Sequence, residues 1–153
     1  MANKKTRDEL QFAALPWRMR DGVQQVMLLT SRETHRWVIP KGWPIKGLKP
    51  AEVARREAYE EAGLIGRTEG KRPIGTYFYT KRLPRSDLLC EVWVFLFHVE
   101  KQLETWPEKD ERETGWFDAS NAVEMVDEGG LAEIIRRLTA SVPNRPIPLG
   151  SRR

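Results

Sequence analysis

Three glutamates, Glu57, Glu60 and Glu61, stand in a stretch that reads as helix, and at 3.6 residues per turn they fall within an arc of roughly 100°. Glu57 and Glu61 are a like-charge pair one turn apart, which costs on the order of 0.2–0.5 kcal/mol. All three lie near the end of the helix, where the helix dipole prefers cations. Local stability therefore opposes this arrangement. A hard divalent cation such as Mg²⁺, with Mn²⁺ as a substitute, takes oxygen ligands and offsets the repulsion. A solvated face would set Glu against Lys or Arg, and here only Glu60 has such a partner, Arg56, one turn earlier. The spacing points to a carboxylate site for a metal ion.

The elements that must position these residues come next. Segment 40–50 carries three prolines and two glycines, which excludes regular structure and marks a shaped loop that Trp43 and Ile45 can pack down. Pro50 suits the first position of a helix and Gly63 the position just past its end, so a helix is predicted over 50–62. Ala51, Ala54, Ala58 and Ala62 form a stripe of small side chains that lets this helix lie close against a sheet. The glutamates then sit at the rim of the contact, partly buried.

Segments 11–18 and 23–31 read as a strand hairpin turned at Asp21-Gly22, and 36–39 as a short extended piece. A strand is predicted over 74–80, followed by a basic loop over 81–87. The strongest strand signal is 88–99, with Val92, Val94, Leu96 and His98 on one face and Glu91, Trp93, Phe95 and Phe97 on the other. Both faces are mostly apolar, so this is a central strand covered on two sides. Segment 101–114 is a polar loop whose Asp110, Glu111 and Glu113 join Glu91 as reserve acids. A short strand at 115–117 and a short helix at 120–126 follow. A last helix at 131–141 has Leu131, Ile134, Ile135 and Leu138 at helical spacing. Residues 1–142 are read as one domain and 143–153, with three prolines, as a flexible tail.

The chain has 153 residues, 40% hydrophobic and 31% charged, which suits one domain with its own core and excludes wholesale disorder. Its single cysteine, Cys90, excludes an internal disulfide, and no apolar run is long enough to span a membrane. The first residues lack the apolar core of a secretory signal, so a soluble cytoplasmic protein is expected. Net charge is +4, from 26 Lys+Arg against 22 Asp+Glu, a mild surplus that suits a polyanionic ligand. Arg18, Arg36, Lys41, Lys46 and Arg82 are the leading candidates to hold a polyphosphate, with Arg32, Lys49, Lys81 and Arg85 behind them. Tyr77 and Phe78 read as core, and His35, His98 and Cys90, which lack ligand spacing, as structural.

Gly42, Arg56, Glu57, Glu60, Glu61, Gly63 and Leu64 stand at the spacing of the Nudix box, G-x5-E-x7-R-E-U-x-E-E-x-G-U, and the chain resembles a Nudix hydrolase. Leu48 replaces the first glutamate of that pattern, and Ala58 takes the apolar position after Arg-Glu. In the family the first glutamate supports the box arginine; Glu52, one turn before Arg56, is the candidate replacement. Arg36-Trp37-Val38-Ile39-Pro40 before the box look like the diphosphoinositol polyphosphate and diadenosine polyphosphate branch, as do Leu103-Glu104-Thr105-Trp106 and Gly115-Trp116-Phe117 after it.

This resemblance implies an α/β/α sandwich around a mixed β-sheet, with the box as loop-helix-loop. It implies Mg²⁺-dependent hydrolysis of a pyrophosphate bond in a highly charged substrate such as diadenosine polyphosphate or diphosphoinositol polyphosphate. Glu57 and Glu61 would be the main metal ligands, Glu60 a further ligand or base, the Lys41 backbone carbonyl a further donor, and Arg56 an anchor of the catalytic loop. Such cleavage requires charge neutralisation on the phosphoryl oxygens and an in-line water. Two other readings stay open. One keeps the chemistry and changes the substrate to an oxidised nucleoside triphosphate, a nucleotide sugar or an RNA 5′ end. The other is a non-catalytic binding module on the same scaffold, motivated by Leu48. The partner is a small polyphosphate in most of these readings, and oligomeric state stays open.

Overall fold

The computed structural model describes residues 5–141, with side chains described over 9–139; the tail expected at 143–153 lies outside them. Among the described residues eight strands form one mixed sheet: β1 (Lys5–Arg20), β2 (Val23–Thr30), β3 (Trp37–Val38), β4 (Lys41–Gly42), β5 (Leu64–Thr68), β6 (Gly75–Arg82), β7 (Ser86–Gln102) and β8 (Thr114–Asp118). Three helices accompany them: α1 (Pro50–Ala62), α2 (Ala119–Met125) and α3 (Gly129–Ser141). Among the described residues no helix is long and apolar enough to cross a membrane.

The two long strands, β1 and β7, run parallel along their length from Lys5↔Ser86 to Trp17↔His98 and form the spine. Each then serves a second set of partners. β1 turns back at Asp21-Gly22 into β2, with Arg20 opposite Val23, and also pairs with β4 through Phe12↔Gly42. β7 pairs with β6 over its first half and with β5 over its last residues. Alternation along β7 sorts the core into two layers, as its pattern predicts. Val92, Val94 and Leu96 pack with Leu131, Ile134, Ile135 and Leu138 of α3 and with Ala119 and Ala122 of α2. Phe95, Phe97 and the partly buried Trp93 face the opposite way, onto Val53, Ala54, Ala58 and Ala62 of α1. The result is the expected α/β/α sandwich.

Several elements differ from the pattern reading. Segment 40–50 is not wholly irregular, because Lys41–Gly42 add a short strand to β1. β6 continues through Lys81 and Arg82, which pair with Leu88 and Asp87, so the basic loop shortens to a turn. Lys101 and Gln102 belong to β7, and Lys109–Glu111 form a 3₁₀ turn within the polar segment. β5, directly after α1, has no counterpart among the predicted strands. Its Leu64-Ile65-Gly66-Arg67-Thr68 does not alternate, and the register shifts between Ile65 and Gly66.

α1 starts on Pro50, with Glu52 accepting the Lys49 backbone N–H at 2.8 Å. Ala54, Ala58 and Ala62 are fully buried. The chain leaves the helix through Gly63 in the left-handed region (φ 69°), where a side chain would also run into the Trp106 ring. Enlarging the stripe tests this close approach. Ala58→Leu should lower stability by about 1–3 kcal/mol in urea unfolding, and an unchanged midpoint would show that α1 does not pack tightly.

Candidate functional site

Close docking of α1 carries its acids inward. Glu61 is only 6% exposed and Glu57 half-buried, although both are carboxylates. Both line a cavity of about 460 Å³ between the end of α1, strands β3, β4 and β6, and the turns around them. Burial raises both pKa values, Glu61 to about 9. The two side chains share a hydrogen bond, which favours a proton on Glu61 and the charge on Glu57. Gly42 stands against this pair. An added Cβ there would fall on the Glu57 carboxylate, so the missing side chain is what lets the backbone of β4 approach it.

The third glutamate takes a different course. Glu60 is absent from the cavity wall, and its carboxylate accepts the Arg56 guanidinium at 2.9 Å. Glu52, expected as the partner of Arg56, instead caps the helix start, and Arg56 is exposed beside Leu48 in a separate shallow groove. Arg56 therefore makes a surface pair, of small energetic value. Among the described residues no three His, Cys, Asp or Glu side chains converge closely enough to hold a metal ion by themselves.

Of the predicted cations, Arg36, Lys41 and Arg82 line the cavity, joined by Arg32 and Lys81. Lys41 sits with its ammonium 5.1 Å from the Tyr79 ring centre; burial lowers its pKa, while Glu61 and Glu128 pull it back up. Arg18 and Lys46 are not in the wall. Arg18 lies 4.0 Å over the Trp116 ring and donates to Gln25, and Lys46 is exposed on its loop. Among the reserve acids, Glu91 accepts the Trp93 indole N–H at 3.1 Å and Glu111 pairs with Arg32 at 2.7 Å. Tyr77 is core as expected, Phe78 is 57% exposed instead, and His98 stacks on Trp17.

The polar segment after β7 supplies what the pattern reading missed. It crosses the C-terminal end of α1, where the Leu103 and Glu108 backbone N–H groups donate to the Gly63 and Glu60 carbonyls and the Gln102 side chain donates to Ala62. These bonds satisfy helix-end carbonyls that have no basic side chain in the last turn. They also bring Glu108 and Arg112 into the cavity wall. Arg112 is nearly buried, 3.0 Å from Glu108, 3.8 Å from Glu61 and 3.2 Å from the Thr30 carbonyl. Glu128, just before α3, and Glu33, in the turn after β2, are the other acidic groups of the wall. The one signal for Arg112 in the sequence is its spacing of four from Glu108 in a mostly acidic run.

The arrangement fits a hard divalent ion. A buried and a half-buried carboxylate are close enough to share a hydrogen bond, a side-chain-free backbone lies against one of them, and the donors on offer are oxygens. An acidic end and a cationic wall thus meet in one cavity. The NUDIX domain family model matches residues 10–138, and the chain belongs to that family. Nudix hydrolase 13, mitochondrial, of Arabidopsis thaliana is 31% identical over 107 residues, covering 66% of this chain and 52% of that protein. Diphosphoinositol polyphosphate phosphohydrolase 2 of Rattus norvegicus is 27% identical over 116 residues, covering 74% and 60%. The chain thus spans roughly half the length of the first of these relatives. In fold it is similar to a C. elegans Ap4A hydrolase binary complex (TM-score 0.64, 18% identity, 88% of this chain and 97% of that one). A NUDIX hydrolase from Nitrosomonas europaea gives TM-score 0.67 at 18% identity, covering 94% and 95%.

A stability test follows from the crowded pair. Between the ordinary 4.5 and about 9, folded Glu61 keeps a proton that the unfolded chain has released. Metal-free stability should therefore fall as pH rises through that window. Glu61→Gln imitates the protonated state and can still donate to Glu57. In chelator, melting temperatures taken across this window should fall less steeply for the variant, leaving it the more stable protein at the alkaline end. Parallel curves would contradict the shared proton.

Proposed function

We propose that this chain is a Mg²⁺-dependent pyrophosphohydrolase that cleaves a phosphoanhydride bond in a highly charged substrate, diadenosine polyphosphate or diphosphoinositol polyphosphate, in the cytoplasm. The observation that carries this is the shared cavity, lined both by buried Glu61 and half-buried Glu57 and by Lys41, Arg36, Lys81 and Arg82. The names of the rat phosphohydrolase and the C. elegans Ap4A hydrolase support both substrate classes.

Glu57, Glu61 and the Lys41 carbonyl are the groups that would hold the ion, with Mn²⁺ able to substitute. Bound there, Mg²⁺ supplies charge neutralisation on phosphoryl oxygens and an acidified water. The protein's own part is positional. Arg112, paired with Glu108 and close to Glu61, holds the acidic end together with charge-assisted bonds. Lys41 and Arg36 oppose the phosphates from the other side and favour the extra negative charge of the transition state. The proton of the attacking water has two acceptors in the wall, Glu61 and Glu108.

Glu57→Gln and Glu61→Gln should each reduce Mg²⁺-dependent phosphate release at least about a hundredfold, with circular dichroism unchanged. Glu60→Gln should cost clearly less, since Glu60 pairs with Arg56 outside the cavity. Full activity in both of the first two variants would overturn the proposal.

A further inference from the structure

Phe78 is the most exposed large apolar side chain among the described residues, 57% exposed, and it takes no part in the cavity wall. It stands in the middle of β6, which has β7 as its one partner in the sheet. Of the strands with a single neighbour β6 is the longest, at eight residues, and it pairs with β7 from Gly75↔Val94 to Arg82↔Asp87 without a shift in register. Its other edge lies at the margin of the sheet, and no turn or loop backbone hydrogen bond among the described residues reaches Gly75–Arg82. Such an edge is a row of unpaired N–H and C=O groups, which proteins that keep it unpaired interrupt with a proline, a bulge or a charge. β5, at the same margin, carries both a register shift between Ile65 and Gly66 and the exposed Arg67. The middle of β6 carries none of these.

That middle, Thr76-Tyr77-Phe78-Tyr79-Thr80, reads the same in both directions. A two-fold axis sets a strand against its own copy in antiparallel register, residue i against j and j against i, so a palindrome centred on Phe78 is complementary to itself. We propose that the open edge of β6 is an interface between two copies of this chain, paired antiparallel with Phe78 of each copy opposite Phe78 of the other. On the exposed face Phe78 then meets Phe78 and Thr76 meets Thr80, aromatic and threonine pairs of the kind that stabilise antiparallel sheets. Tyr77 stands opposite Tyr79 on the covered face. Charge favours the same arrangement. Lys81 falls opposite Gly75, so the basic ends of the two strands, Lys81 and Arg82, lie far apart, whereas parallel pairing would set like charges side by side. Joined in this way, the two sheets become one continuous sheet, and the open edge of β6 is closed in both copies.

The test is sedimentation of the full chain over a concentration series from about 1 μM to about 1 mM, the range in which weak and moderate dimers dissociate. The wild type should pass from monomer to twice the monomer mass within it. Phe78→Lys and Phe78→Glu each place like charges opposite one another at the two-fold axis, and each should raise the dissociation constant about tenfold. Phe78 is exposed, so both variants should keep the far-ultraviolet circular dichroism of the wild type. An equimolar mixture of the two variants should recover dimer, because only a residue that faces its own copy brings Lys against Glu. A wild type that stays monomeric to about 1 mM overturns the proposal, whatever else takes the edge. A dimer that both variants leave intact, or a mixture no more dimeric than either variant alone, overturns the register.

Discussion

The burial of two neighbouring carboxylates is the constraint on which the rest of this structure depends. Charged groups leave water only at a cost that must be met by pairing, by a proton or by a metal. Here Glu57 and Glu61 are drawn in because the helix that carries them has no bulk on its inner face. Ala54, Ala58 and Ala62 are fully buried against Phe95 and Phe97, and that contact sets how deep the acids go. A larger side chain at any of these alanines would lift the helix and return the carboxylates toward solvent. Packing and site chemistry therefore share one set of residues.

The same economy governs the end of the helix. Its last carbonyls are satisfied by the segment that follows β7, and the bonds that do so also deliver Glu108 and Arg112. Arg112 offsets part of the charge that the helix brings, and Lys41 of β4 adds a second positive charge that Glu61 senses. The cavity thus holds both signs of charge within a small space. It is suited to a ligand that carries negative charge and binds with a cation of its own.

Much of this was legible in the residues because it depends on local patterns. Pro50, Gly63 and the alanine spacing marked α1 to the residue, and alternation along β7 assigned its two faces. Legibility failed where partners decide the outcome. Lys5 to Glu9 precede the strand expected at 11–18, yet they are strand because β7 lies alongside them in parallel register. β5 has too little alternation to announce itself and exists by pairing with the end of β7. The side chain of Glu60 follows Arg56 outward, although helical geometry alone places it with the other two acids. Glu108 and Arg112 share one segment, Glu128 stands in another, both lie far from α1 in sequence, and only the fold gathers them with its acids. Leu48, the odd residue of the motif, packs against the α1 layer, and Arg56 does without a glutamate there.

The central claim is that Glu57 and Glu61 are buried to hold a metal ion. Anomalous diffraction from crystals soaked in Mn²⁺ tests it most directly. A manganese peak within bonding distance of both carboxylates, lost when Glu61 is replaced by glutamine, is the predicted result. A peak elsewhere in the molecule, or one that survives the substitution unchanged, would contradict it.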